Sequence, residues 1–368
     1  MSWFDPKRAM YVLAAPVMAA VVAVALSSVV LLVAGHSPVT AFRAMVDFGI
    51  QGDNLVNTMN KATGYYLAAV AVAIGFRMNL FNIGVDGQYR LAGMVAAIVG
   101  AAVSLPGPLH VALMIAVAAL TGAAWAGIAG LLKVYRGVSE VISTIMLNFV
   151  GGSLLAWLLS PDGFGIVKGN TIATKDIPAS GWFPGFVLGS SEVYGFIVVS
   201  ALVGLGYWFL LGRTRFGFDL RATGMSEPAA IASGVDVRRM VLVSMLLSGG
   251  VAGLVGLPIL LGASHRYGQD FPAGIGFTGI AIALLGRNHP IGMGLAAVLW
   301  GFLDVSNQIL DLEGIPKEIV TIMQGTIVLA VVVAYELVRR WRAVNEQRQV
   351  AAQLADDDGA PEAVEVAR

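Results

Sequence analysis

The sequence predicts an all-α, polytopic membrane helix bundle of about ten transmembrane helices, with N- and C-termini cytoplasmic. Three observations predict it. Hydrophobic residues make up 57% of the 368-residue chain and charged residues only 12%, about half the share of a soluble domain. The apolar residues fall in continuous runs, where a β-barrel would show alternating strands of about ten residues. Mean hydropathy is +0.78 and formal net charge is +0. Together these exclude a soluble enzyme, a nucleic-acid binder with a basic face and a disordered chain. With Cys at 0, disulfides, zinc–thiolate sites and thiol nucleophiles are excluded as well.

The first run, 11–33, follows Asp5-Pro6-Lys7-Arg8 and lacks a small-residue cleavage site, so it reads as a retained span. Further runs lie at 62–76, 83–103, 109–132, 138–159, 193–211, 240–261, 274–285, 291–309 and 319–338. A span needs about 20 apolar residues. The runs 62–76 and 274–285 are short, and each ends in a cluster of Gly, Arg and Asn, a pattern of segments that flank a transport path. With the N-terminus inside, only Arg43, Lys61, Lys168, Lys175, Arg266 and Lys317 of the 23 Lys and Arg fall outside the cell. That asymmetry sets the orientation.

The organisation is therefore a transmembrane domain over 1–342 and a polar tail over 343–368, read as a frayed cytoplasmic helix followed by disorder. The domain carries one sizeable outer loop, 160–192, and one sizeable inner loop, 212–239.

Several chemistries are absent. Gly is never followed by Lys, so there is no phosphate-cradling loop and no ATP hydrolysis by this chain alone. Leu247-Ser248-Gly249-Gly250 spells the start of an ABC ATPase signature, but it sits inside an apolar run, where small residues serve helix packing. His36, His110, His265 and His289 each stand alone in sequence, so a metal site is not expected. Ser233 and Ser248 lack the glycine two residues earlier that an intramembrane serine hydrolase wants.

Two stretches carry polar chemistry. Phe81-Asn82-Ile83-Gly84-Val85-Asp86-Gly87-Gln88 brings amides and a carboxylate to the mouth of a membrane helix. Amides both donate and accept, which suits hydroxyls and heterocycle edges. A cap by Asn82 explains one of these residues but not all. Asn79, Asn82, Asp86, Gln88 and Asn148 are the candidate substrate-pathway residues. Intramembrane charge is otherwise sparse: Asp86 and Arg90 have the spacing of a helical pair, Glu140 and Glu336 are expected to reach water at inner ends, and Asp304 lies deep. In the inner loop, Ser226 can cap a short helix of about eight residues, with Pro228 in its first turn and Gly234 ending it. Such an element is suited to a groove on a partner.

Arg215-Phe216-Gly217, followed by Ala222-Thr223-Gly224-Met225-Ser226-Glu227-Pro228-Ala229-Ala230-Ile231-Ala232-Ser233-Gly234-Val235, resembles the coupling loop of ABC importer permeases of the ribose and branched-chain amino acid type. The stretches 81–88, 138–148 and 276–292 are similar to the nucleoside-uptake branch, and the resemblance spans roughly 8–340. It implies a transport subunit, not an enzyme, working with an ABC ATPase subunit, a second permease (homologous or a second copy) and an extracytoplasmic substrate-binding lipoprotein in the cell membrane. No cofactor is implied on this chain, with ATP and Mg on the partner ATPase, and no nucleic acid. Carried onto this sequence, 226–234 is the coupling helix, with Ser226, Glu227, Ala229, Ala230 and Gly234 as ATPase-coupling residues. Family members often have Asn where Ser226 stands and Glu where Asp86 stands. Simple sugars rival nucleosides as substrate, and an ion-coupled secondary carrier is the alternative from another class.

Overall fold

The computed structural model describes residues 6–357, which divide into two compact units, one holding the described residues up to 42 and from 314 onward, the other 43–313. In the first unit, α1 (Pro6–Val33) packs against the long α14 (Lys317–Asp357). Helix therefore continues well into the stretch read from sequence as the polar tail, and the rest of that tail, 358–368, lies outside the described residues. Glu336 pairs with Arg339 at 2.9 Å and with Arg340 at 2.8 Å along one face of α14. Between the units in chain order runs α2 (Pro38–Gly49).

The second unit contains α3 (Gly52–Phe76), α4 (Val85–Ala102), α5 (Gly107–Arg136) and α6 (Glu140–Leu158), then four short strands, β1 (Ile166–Lys168), β2 (Thr171–Ala173), β3 (Phe186–Leu188) and β4 (Ser191–Val193). It continues with α7 (Phe196–Arg213), α8 (Arg215–Met225), α9 (Glu227–Ala232), α10 (Val237–Leu254), α11 (Leu257–Ile259), α12 (Ile275–Leu285) and α13 (Pro290–Leu312). A π-turn at Leu260–Ser264 prolongs α10 and α11 into an apolar stretch over Val237–Ser264. Among the described residues six helices are long and apolar enough to cross a membrane, or seven if α1 and α2 form one broken span.

Helix α3 is the centre of this unit. Leu67 through Ala73 are fully buried, with α4, α7, α10, α12 and α13 around them. The short run at 62–76 is thus the end of a longer helix whose start is polar. Lys61 is held by Asp304 of α13, with the Tyr65 hydroxyl donating to the same carboxylate at 3.0 Å. Asn60 donates to the Glu192 carbonyl and accepts from Tyr194 N, so the end of the loop over 160–192 rests on α3. The run at 274–285 is short in the structure too, since α12 has 11 residues.

Glycine permits a close contact between α5 and α10. A Cβ at Gly122 of α5 would stand 2.2 Å from the Gly249 carbonyl oxygen, and one at Gly253 2.1 Å from that of Ala118. The Ser-Gly-Gly stretch therefore serves close packing of α5 on α10, the arrangement small residues permit between membrane helices. The loop over 160–192 holds two antiparallel hairpins, β1–β2 and β3–β4, and Gly169 and Gly189 supply the positive φ their tight turns need. One expectation is corrected. Glu140 does not reach water; it is 6% exposed, with Lys133 Nζ 2.5 Å from its carboxylate. His110 is fully buried between α4 and the loop over 160–192, its Nε2 3.0 Å from the Gly100 carbonyl and its Nδ1 2.9 Å from Ser180 Oγ. A carbonyl only accepts, so Nε2 carries the proton and Ser180 donates to Nδ1.

Candidate functional site

Residues 77–84 join α3 to α4 without regular structure, and four helices supply the groups that hold them. Asn82 and Gln88, each 1% exposed, exchange amide hydrogen bonds at 3.0 and 2.9 Å. Asn82 also donates to Ser248 Oγ at 2.8 Å and accepts from Gly84 N at 3.1 Å. Ser248 passes its own proton to the Ala71 carbonyl at 2.7 Å, which ties α10 to both α3 and the connector. From α6, Asn148 accepts from Gly87 N and donates to the Ile83 carbonyl, both at 2.9 Å. Gly87 is needed for that approach, since a Cβ there would lie 2.8 Å from Asn148 Oδ1. The residue flanking α4 is Gly84, so Asn82 acts one turn outside the helix and not as its cap.

Asp86 faces a different helix. Its Oδ1 accepts from Gly274 N at 2.7 Å and from Gly276 N at 3.4 Å, which places a carboxylate on the positive end of α12. Its Oδ2 lies 3.9 Å from Arg90 Nη1, the pair expected from their spacing. The structure thus brings together Asn82, Asp86, Gln88 and Asn148. Their polar groups are spent largely on one another and on backbone, as burial at this depth demands.

Asn79 lies elsewhere. It is exposed, has φ 55°, and donates its amide to the Gly224 carbonyl at 2.6 Å, so it belongs with the loop over 212–239. There α8 runs into α9 at Ser226, whose hydroxyl accepts from Ala229 N at 3.4 Å. Pro228 sits in the first turn, and Gly234, φ +82°, allows the chain to close the helix with Val235 N on the Ala230 carbonyl at 3.0 Å. The helix has six residues, shorter than the sequence suggests. Only Ala230 is buried in it; Ser226, Glu227, Ala229, Ile231 and Gly234 are exposed. Beside its root, Arg77 Nη2 and the Tyr207 hydroxyl both donate to the Asn288 carbonyl at 2.8 Å. The end of α3 is thus tied to α8 through Asn79 and to α7 and the turn between α12 and α13 through Arg77, while α9 itself packs on α8 and α10.

Sequence reasoning missed two groups. Ser248, set aside with its packing motif, is a hydrogen-bond bridge. The segment 265–274, which interrupts the apolar runs, buries Tyr267 and Phe271 beside Arg90; its aromatic and glycine content was the available signal.

Residues 54–332 match the family described as branched-chain amino acid transport system / permease component. The chain belongs to this permease family. It is 34% identical to the guanosine ABC transporter permease protein NupP of Bacillus subtilis over 88% of its own length and 93% of that protein's. It is 30% identical to the nucleoside ABC transporter permease protein NupB of Lactococcus lactis, covering 87% and 90%. It is also 30% identical to the glucose ABC transporter permease protein TsgB13 of Haloferax volcanii, covering 92% of each. As a permease of this family it is a multi-pass membrane protein, and the matched region contains both the 81–88 constellation and α9.

Proposed function

We propose that this permease is the membrane-spanning subunit of an ATP-driven ABC importer for nucleosides. The observation that carries the reading is α9: an exposed, Ser-capped, Gly-terminated helix rooted on the ends of the helices that surround α3. A helix of six residues gains little from its own hydrogen bonds, so its shape is set by its caps and root, as a docking knob requires. In this reading 226–234 fits a notch on an ABC ATPase, which holds the ATP and Mg, while this chain holds no cofactor and performs no covalent chemistry. A second permease, homologous or identical, completes the channel, and an extracytoplasmic binding lipoprotein delivers substrate to the outer face. Counting α3, α4 and α12 as crossings gives about ten, with both termini and α9 in the cytoplasm. Nucleoside as substrate is supported by the names of NupP and NupB; a simple sugar is favoured instead by the likeness to TsgB13.

The test replaces Gly234 with Val or Glu227 with Trp in cells that depend on this chain for uptake. Gly234→Val strains a positive φ and Glu227→Trp fills the docking face, so uptake is lost while membrane abundance holds. Normal uptake together with normal substrate-stimulated ATPase activity in both variants sinks the coupling assignment.

A further inference from the structure

A cavity of about 350 Å³ lies between α4, the end of α6, β2 and the segment 265–274. Its lining is unlike the rest of the bundle. Tyr267 and Phe271 stack with ring centroids 4.3 Å apart, inclined by 27°. Arg90 lines the cavity beside them, its partly exposed side chain hydrogen-bonded to that of Tyr267 and 3.9 Å from Asp86 Oδ2. Gln269, exposed, and Ser160 stand on the lining as well. We propose that this cavity is the subsite that receives the base of an incoming nucleoside, and that it selects bases presenting a carbonyl acceptor edge. The inference rests on the nucleoside-importer reading above and deepens it.

Four physical points lead there. The volume fits a nucleoside-sized ligand, since small-molecule sites run from about 300 to 1,000 Å³. The Tyr267–Phe271 pair gives the cavity one aromatic wall, against which a planar ring can pack because every base has a π-face. The guanidinium has donors and no acceptor, and its side chain, about 31% exposed, stands on the cavity lining. It therefore seeks a ligand acceptor, such as the O6/N7 edge of a 6-oxopurine, and meets only one acceptor and a repelling amine on a 6-aminopurine. Asp86 lies 3.9 Å from Arg90 Nη1 and offsets its charge, so the site as a whole fits a neutral ligand and not a phosphate.

The architecture supports a place on the path. Helix α12 is 11 residues long, about 16 Å, roughly half a hydrocarbon core. It begins at Gly274 against Asp86, so the segment before it descends into the membrane. Irregular backbone at that depth is tolerated where protein or a water-filled cavity meets it. The segment is fixed from above by β2: Thr174 N donates to the Tyr267 carbonyl at 2.8 Å and Gln269 N to the Ile172 carbonyl at 3.1 Å. On the orientation proposed above, Ser160 and Ile172 belong to the outer side and Arg90 to the floor.

The natural chain has no Cys, so Gln269→Cys gives a single thiol. In right-side-out vesicles carrying the intact transporter, a membrane-impermeant maleimide added outside labels it. Inosine is expected to protect at about one-tenth the concentration of adenosine. In uptake assays Arg90→Gln is expected to lower the inosine-to-adenosine ratio about tenfold, a shift that a purely structural loss does not give. If Arg90→Gln fails to reach the membrane, the Gln269→Cys protection decides alone. Equal protection by both nucleosides, no labelling from outside, or an unchanged ratio in Arg90→Gln overturns the subsite while uptake itself leaves the importer reading standing. If the native transporter takes up no nucleoside, the importer reading fails and this inference with it.

Discussion

Asn79 donates its side-chain amide to the Gly224 carbonyl over 2.6 Å, joining the connector that follows α3 to the last turn of α8, three residues ahead of α9. Two properties of asparagine serve here at once. It tolerates the left-handed backbone at φ 55°, and its amide reaches the carbonyl. Asn79→Gly keeps the first and removes the second; Asn79→Leu removes both. Asn79→Gly is expected to leave thermal stability within about 1 kcal/mol while lowering uptake per ATP hydrolysed, because α9 is less firmly tied to α3. Asn79→Leu adds about 1–2 kcal/mol of backbone strain. Paired uptake and ATPase measurements check this, and an unchanged ratio in both variants refutes the tie.

The α5–α10 contact gives a second prediction. Gly122 has the Gly249 carbonyl where its Cβ would be, and backbone cannot move aside like a flexible side chain. Gly122→Leu is expected to destabilise the permease by about 3 kcal/mol or more, read as a lower melting temperature in detergent. Gly206 has nothing within 4 Å, so Gly206→Leu is the matched control and is expected to shift little. Equal effects at the two sites contradict the packing account.

Much of this was legible in the sequence, and the failures have physical causes. The cluster of Asn82, Asp86, Gln88 and Asn148 was visible because amides and glycines alternate at the mouth of an apolar run. Its partners Ser248 and Gly274 were not, since they come from distant helices and look like packing residues. The caps of α9 were legible because Ser226, Pro228 and Gly234 are local signals. Helix α3 was read as starting at 62, because hydropathy scores Asn60 and Lys61 as polar without seeing the Glu192 carbonyl and Asp304 that satisfy them. Glu140 was expected in water for the same reason: Lys133, which neutralises it, lies across the turn from α5 to α6. Arg90 was recognised as charged within the membrane, but the ring pair beside it comes from a segment far along the chain.

Asp86 does two tasks, so its substitutions separate them. It caps α12 through Gly274 N and Gly276 N, and it neutralises Arg90. Asp86→Asn keeps an acceptor for α12 but leaves Arg90 without a counter-charge. Asp86→Ala removes both. Breaking one side of a buried pair costs about 3–5 kcal/mol, and the partial exposure of Arg90 points to the lower end. Asp86→Ala is expected to lose about 3 kcal/mol and Asp86→Asn less, measured by thermal unfolding in detergent. Asp86→Glu, the residue common in the family, is expected to retain stability. Equal losses for Ala and Asn argue that the cap contributes nothing.

The last prediction concerns pH at the β3–β4 hairpin. Ser190 donates to both oxygens of Asp53, at 2.6 and 2.8 Å, and Ser191 donates to Oδ1 at 2.9 Å, pinning the β3–β4 turn to the first turn of α3. The two hydroxyls hold the Asp53 carboxyl below the ordinary aspartate value, Ser190 contributing most. A carboxylate whose folded value lies below its unfolded one stabilises the docked loop fully above the unfolded value and loses that contribution as pH falls through the folded one. Docking is therefore unchanged from pH 7 to 5 and weakens only below about 4. A nitroxide at Val187→Cys, an exposed β3 site in an otherwise Cys-free chain, reports this as increased mobility in the acid range. Asp53→Asn cannot titrate, so its spectrum is expected to stay constant over the same range. An acid transition that persists unchanged in Asp53→Asn assigns the effect to another group and removes Asp53 as its cause.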